Sequence, residues 1–269
     1  MMDFTRKYGP WALITGASEG TGSAFARAVA RRGLDCVLIA RREAPLAALA
    51  AEIRALGRQC VTASVDLARP DAAARVAEAA GGREIGLYIA NAGADTVNSR
   101  FLDRDIAEWD GLVTLNVLTT MRNCHWLGRA MRARRRGGMI LVGSGACYGG
   151  LHGLAVYTAA KGFALNFGEA LWSELGEAGI DVLSLILGRT DTPAHRRSLE
   201  LAGQPVPDGM ARPEEVARVG LERLGRIAVH NWGEDEHGTG MSPISPAQRQ
   251  ARLLAVKAMS AGYVAKEKA

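Results

Sequence analysis

Trp11-Ala-Leu-Ile-Thr-Gly-Ala-Ser-Glu-Gly-Thr-Gly22 is an apolar run that ends in three glycines, at 16, 20 and 22, before a helical pattern begins. Trp11–Thr15 is predicted as a buried strand and Gly22–Arg32 as a helix. Glycine suits such a junction for two reasons. A tight strand-to-helix turn needs backbone angles that other residues resist, and an anionic group can reach bare amides at a helix N-terminus only where side chains are missing. A glycine triplet alone also fits an ordinary turn, but the strand before it and the helix after it favour a dinucleotide-phosphate turn over Gly16, Ser18, Glu19, Gly20, Thr21 and Gly22.

Outward from this stretch the same rhythm repeats. Further strands are predicted at Asp35–Ala40, Cys60–Val65, Gly86–Ala90, Gly138–Gly143 and Asp181–Leu187, several of them apolar on both faces, as a buried parallel sheet requires. Helices are predicted near Pro45–Leu56, Pro70–Ala80, Ile106–Arg136 and Leu154–Ala178. The fold class is therefore α/β, a doubly wound parallel sheet of Rossmann type. With 269 residues, 48% hydrophobic and 23% charged, one domain spans 1–269. Its nucleotide-binding and catalytic core covers 11–187. A substrate loop or lid and a C-terminal segment cover 188–269, with helices starting at Pro213 and over Pro246–Gly262.

Composition narrows the function. The net charge is +5, but the densest basic cluster, Arg132-Ala-Arg-Arg-Arg136, ends a predicted helix, where cations offset the dipole and cap carbonyls. No nucleic-acid partner is expected. The four cysteines, Cys36, Cys60, Cys124 and Cys147, show no Cys-x-x-Cys spacing, and no run of about 18 apolar residues occurs. A cytoplasmic chain without a membrane partner is expected. The histidines, His237 among them, have no spacing that closes a metal site, so no metal is expected.

Tyr157 and Lys161, in Ala155-Val-Tyr-Thr-Ala-Ala-Lys161, lie four apart on one helix face. Such a pair arises from packing alone on many helices. It also places a cation where it would lower the pKa of a phenol, which ordinarily titrates near ~10. Ser144 sits at the carboxyl end of the fifth predicted strand, thirteen residues before Tyr157. The second strand ends Val37-Leu-Ile-Ala-Arg-Arg42, without the carboxylate that an NAD site uses to hold ribose hydroxyls. Arg41, with Arg42 and Ser18, would instead grip a 2′-phosphate, unless the two arginines only open a solvated helix. NADP(H) is preferred and NAD(H) remains possible.

The spacing Gly-x-x-x-Gly-x-Gly, followed in order by Asp66, Asn91-Ala-Gly93, Asn116, Ser144, Tyr157 and Lys161, resembles the short-chain dehydrogenase/reductase family from residue 11 to about 193. The resemblance implies hydride transfer between a nicotinamide cofactor and a small carbonyl or alcohol. Tyr157 would be the proton donor, with Ser144 bonded to the carbonyl oxygen. Lys161 would act on Tyr157 and the nicotinamide ribose, and Asn116 would be the fourth catalytic residue, holding a water that links Lys161 to solvent.

It further implies cofactor contacts from Asp66 and Leu67 at the adenine and from Asn91, Ala92 and Gly93 beside the dinucleotide. Gly188 with Thr190 or Thr192 would meet the carboxamide, although Leu187 replaces the family's proline. Cys147 and His152, with Tyr148 and Leu151, are expected at the substrate pocket; for His152 a plain loop position is the alternative. The family's long helices imply a homodimer or homotetramer. The substrate would be a ketone or aldehyde. There is fainter similarity to reductases of 3-oxoacyl thioesters and steroid-type ketones, and a nucleotide-binding regulator without turnover is the other reading.

Overall fold

A computed structural model of the chain describes residues 4–95, 97, 99–233 and 242–260; His237 lies outside them. Seven strands form one parallel sheet: β1 (Trp11–Thr15), β2 (Asp35–Ala40), β3 (Cys60–Ser64), β4 (Ile85–Ala90), β5 (Gly137–Ser144), β6 (Ile180–Leu187) and β7 (Val229–Asn231). Their spatial order is β3-β2-β1-β4-β5-β6-β7. The helices are α1 (Phe4–Tyr8), α2 (Gly20–Arg31), α3 (Glu43–Ala55), α4 (Ala72–Ala80), α5 (Ile106–Val113), α6 (Thr119–Arg134), α7 (Ala155–Leu175), α8 (Pro193–Leu201), α9 (Pro213–Arg223) and α10 (Pro246–Ser260).

Alternation along each strand divides the core between two faces. From β1, Ile14 joins Phe25 and Val29 of α2 and Val216 of α9, whereas Leu13 joins Val76 of α4, Leu127 of α6 and Tyr88 of β4. Each such aliphatic side chain, fully buried, stabilises the fold by about 1.5–3 kcal/mol. Because β1 lies between β2 and β4, the chain winds away from β1 in both directions and leaves a crevice at the carboxyl ends of the strands. Register then sets what meets there. Thr15 is level with Ala90, so Gly16 and Asn91 emerge side by side, and Ser144 is level with Leu187.

Two sequence expectations need correction. The helix predicted across Ile106–Arg136 is two helices joined by a π-helical turn, Thr114–Leu118, centred on Asn116. The Asn116 amide donates to the carbonyls of Leu112 (3.1 Å) and Ala94 (3.4 Å), intruding on the helix's own ladder. The stretch after Leu187, expected as a substrate loop or lid up to a helix at Pro213, holds a further helix, α8. Thr192 caps α8, its hydroxyl accepting from the His195 amide at 3.1 Å with Pro193 in the first turn, and β7 adds a strand too short to show alternation. Arg134, Arg135 and Arg136 donate to the carbonyls of Ile85, Glu177 and Arg6, which ties the end of α6 to its neighbours. Among the described residues no helix is long and apolar enough to cross a membrane.

Candidate active site

The crevice is a cavity of about 840 Å³, running from the glycine turn to the carboxyl end of β5. Its glycines are sterically demanded. Gly16 has φ +67°, and a Cβ there would lie 2.9 Å from the side-chain amide of Asn91, which donates to the Gly16 carbonyl at 3.1 Å. At Gly22 a Cβ would lie 2.1 Å from the Gly16 carbonyl oxygen. Glu19, at the N-cap of α2, makes no side-chain cap. The first amides of the helix are thus left for an anionic ligand, and the bare turn fits a dinucleotide pyrophosphate.

At the other end of the turn the two residues directly after β2 are Arg41 and Arg42, and both wall the cavity, whereas the first carboxylate after the strand, Glu43, opens α3 and does not. Arg42 pairs with Glu19 at 2.7 Å and reaches the Ser18 hydroxyl at 3.4 Å. Arg197 of α8 takes both Glu19 oxygens, at 2.5 and 3.2 Å. Burial works against the Glu19 carboxylate, but Arg197 and Arg42 outweigh it and hold its pKa below the usual value. Glu19 and Arg42, both expected to meet cofactor, are here engaged with each other. Among the described residues Arg41 has no ion pair, unlike Arg42 and Arg197. Asp66 accepts from the Ala68 amide at 3.1 Å and, with Leu67, Asn91, Ala92 and Gly93, continues the wall.

At the catalytic end β5 delivers Ser144, whose hydroxyl accepts from the Ala146 amide at 3.3 Å. Tyr157 lies close enough to Ser144 for the serine side chain to act on its pKa, and both wall the cavity. One helical turn on, the Lys161 ammonium stands 5.4 Å from the Tyr157 ring centroid and donates to the Gly93 carbonyl at 3.4 Å. Asn116 is buried and does not wall the cavity. Its Oδ1 has no partner among the described residues, and it faces the open side of Gly93 together with Lys161, where a Cβ would meet them at 2.7 and 2.8 Å.

Lys161, only 5% exposed, is pushed by burial down to about 8. The expectation that this cation lowers the Tyr157 pKa is not met in this arrangement. Burial is the largest influence and raises it; Ser144 opposes the rise, and Asp95 and Cys147 add to it. The net direction is upward, which favours the protonated phenol.

Gly188, Thr190 and Thr192 wall the same cavity. Thr190 donates to Gly188 at 3.3 Å, while Thr192 serves α8 as its cap. The substrate end is composed differently from expectation. Leu151 is a wall residue, but Cys147, Tyr148 and His152 are not. Cys147 and Tyr148 pack into a small apolar cluster behind Ser144, and His152 is exposed. Val97, Leu154, Arg189 and His195 also line the cavity and carried no sequence signal, because loops from separate strand ends bring them together. Among the described residues no wall residue lies beyond His195, so only the start of the expected lid segment borders the site.

The site thus pairs a neutral phenol and a serine hydroxyl, able to donate to one developing oxyanion, with a cradle for a dinucleotide. The sequence profile described as "short chain dehydrogenase" matches residues 10–201. The 7beta-hydroxysteroid dehydrogenase of Clostridium sardiniense is 31% identical over 236 residues, covering 87% of this chain and 89% of that protein. The very-long-chain 3-oxoacyl-CoA reductase of Podospora anserina is 30% identical, over 84% of this chain and 67% of its own length. The solved structure of a short-chain dehydrogenase from Sphingobium yanoikuyae in complex with NADPH superposes with a TM-score of 0.76 at 27% identity, covering 97% of this chain and 98% of that one.

Proposed function

The chain belongs to the short-chain dehydrogenase family, and from that premise we propose that it is an NADP(H)-preferring reductase of bulky ketones, with Tyr157 as its general acid and base. The observation that carries this reading is the meeting of Tyr157, Ser144 and Lys161 at the end of the cavity away from Arg41. The cofactor, when bound, supplies or accepts hydride. The glycine turn and the start of α2 would hold its pyrophosphate, Asp66 and Leu67 its adenine, Arg41 its 2′-phosphate, and Gly188 with Thr190 its carboxamide. Lys161 would hold a ribose. Ser144 and Tyr157 both donate to the substrate oxygen, and the phenol gives up its proton as negative charge develops there. Asn116 Oδ1 would accept from a water that returns the proton through Lys161.

Apolar walls at Val97, Leu151 and Leu154 support a large apolar ketone, in keeping with similarity to a hydroxysteroid dehydrogenase. A 3-oxoacyl thioester is the second reading, favoured by the likeness to the fungal reductase. Assaying NADPH and NADH with steroid ketones, aryl ketones and 3-oxoacyl thioesters decides between them. Oxidation of NADPH by one class is expected, with kcat/KM at least about tenfold above that for NADH, as loss of a charge-assisted pair predicts. Binding of NADPH without its oxidation by any class would instead identify a nucleotide-binding regulator.

The pH profile is a second test. Reduction needs the phenol protonated and the ammonium charged, so kcat/KM for reduction should fall as pH rises through about 8, where Lys161 deprotonates. Between that value and the ordinary 10.5 the native chain binds fewer protons at Lys161 than the unfolded one. Stability should therefore rise with pH across the window in which reduction fades. A flat profile from pH 7 to 10 would count against the role of Lys161.

The four free thiols support a cytoplasmic setting. An apolar groove of about 510 Å³ between α6 and α7 supports self-association, which a single-chain mass in solution would contradict.

A further inference from the structure

The part of the chain beyond residue 201 lies outside the match to the family, yet it reaches the catalytic turn from behind. Arg249 of α10 forms an ion pair with Glu169 of α7, the two side chains being 8% and 7% exposed. The same guanidinium stands 5.4 Å from the ring centroid of Tyr148. The Tyr148 hydroxyl in turn donates to Asn231 Oδ1 on β7, and Leu253 of α10 packs into the cluster holding Tyr148, Leu165 and Ile186.

Both ends of this contact lead to the reacting groups. Tyr148 closes the 3-10 turn Gly145–Tyr148, which begins directly after Ser144, and within that turn the Ala146 amide donates to the Ser144 hydroxyl at 3.3 Å. Glu169 lies on the buried face of α7 that also carries Lys161 and Leu165, just over two turns from Lys161 and on the helix that bears Tyr157. One side chain is therefore fastened to the turn that presents Ser144 and to the helix that presents Tyr157. Arginine suits this double contact, because its planar fork pairs with a carboxylate while its face lies on an aromatic ring. A buried ion pair is weak support for stability, since desolvation offsets its attraction and apolar residues would fill the same space. What apolar residues would not supply is a fixed direction for both partners.

We propose that Arg249 is a positioning residue, which through Tyr148 and Glu169 sets the Ser144 turn against the Tyr157 helix. This rests on the reading of Ser144 and Tyr157 as the groups that meet the substrate oxygen. The test uses the full chain with Arg249→Met, Arg249→Lys and the double variant Glu169→Gln/Arg249→Met, which leaves no stranded buried charge and carries the test if the first does not fold. Misplacement of a reacting group by about 1 Å costs on the order of 100-fold, so kcat should fall about 10–100-fold in Arg249→Met and in the double variant. Arg249→Lys should recover part of the loss. The NADPH dissociation constant, from fluorescence titration, should stay within about twofold, since Arg249 is remote from the cofactor walls.

Hydrogen exchange supplies a readout without turnover: amide protection at 145–148 should drop in both methionine variants. Wild-type kcat in the double variant would overturn the proposal, and so would a rise in the NADPH dissociation constant by the same factor as the loss of kcat. If the wild-type chain reduces no carbonyl, the proposed activity fails by itself. Exchange at 145–148 then decides alone, and unchanged protection there overturns the positioning role.

Discussion

Tyr157→Phe is expected to lower carbonyl reduction by about 10²–10⁴-fold, the range contributed by a placed proton donor, while leaving NADPH binding within about twofold. The substitution removes one oxygen and keeps the ring, so packing under Lys161, whose ammonium stands 5.4 Å from the ring centroid, is retained. Ser144 still accepts from the Ala146 amide at 3.3 Å, so β5 and its turn should not shift. Burial favours the protonated form of the phenol, and on the proposed mechanism its proton is the one reduction requires. Steady-state kinetics beside a fluorescence titration read the two effects separately. Turnover near that of the wild type in the phenylalanine variant would remove Tyr157 from the chemistry.

Gly22→Ala should weaken NADPH binding by on the order of 100-fold and lower stability by about 1–3 kcal/mol, because the added methyl has nowhere to go. Its Cβ would stand 2.1 Å from the Gly16 carbonyl oxygen and 2.7 Å from the Asn91 amide nitrogen, so the turn itself must open. No unusual φ is recorded at Gly22, and the penalty there is purely steric. Gly20→Ala differs in kind. It meets the Thr192 methyl at 2.8 Å and carries φ +56°, so strain and a displaced α8 share the cost. A calorimetric or fluorescence titration showing a wild-type dissociation constant for Gly22→Ala would mean that the turn does not hold the dinucleotide.

Most of the sheet was legible from sequence, because parallel strands buried on both faces read as apolar runs. Trp11–Thr15 and Asp35–Ala40 match the structure at both ends. The helix through Asn116 was legible in position but not in form. Its π-helical turn carries an Asn116 amide that bonds both Leu112, four residues back, and Ala94, 22 residues away in sequence, and no local pattern encodes the second contact. Cys147 was placed at the substrate end from its nearness to Ser144. The 3-10 turn carries it instead into the apolar cluster behind the serine, where burial pushes its thiol up to about 11. Arg42 is expected from sequence to assist Arg41 at a 2′-phosphate; its pairing with Glu19 is not legible there, because Glu19 is distant in sequence and meets it only when β1 and β2 lie side by side.

By itself, then, the sequence determined the α/β class, the bare glycine turn, the order of Asn116, Ser144, Tyr157 and Lys161, and the two arginines directly after β2. These properties follow from periodicity, glycine geometry and short spacings. The tertiary structure alone decided that Glu19 binds two arginines, that burial raises the Tyr157 pKa and lowers that of Lys161, and that Arg249 joins the C-terminal helix to the catalytic turn. Ion pairing and desolvation depend on which distant segments pack together, and that packing exists only once the sheet has assembled.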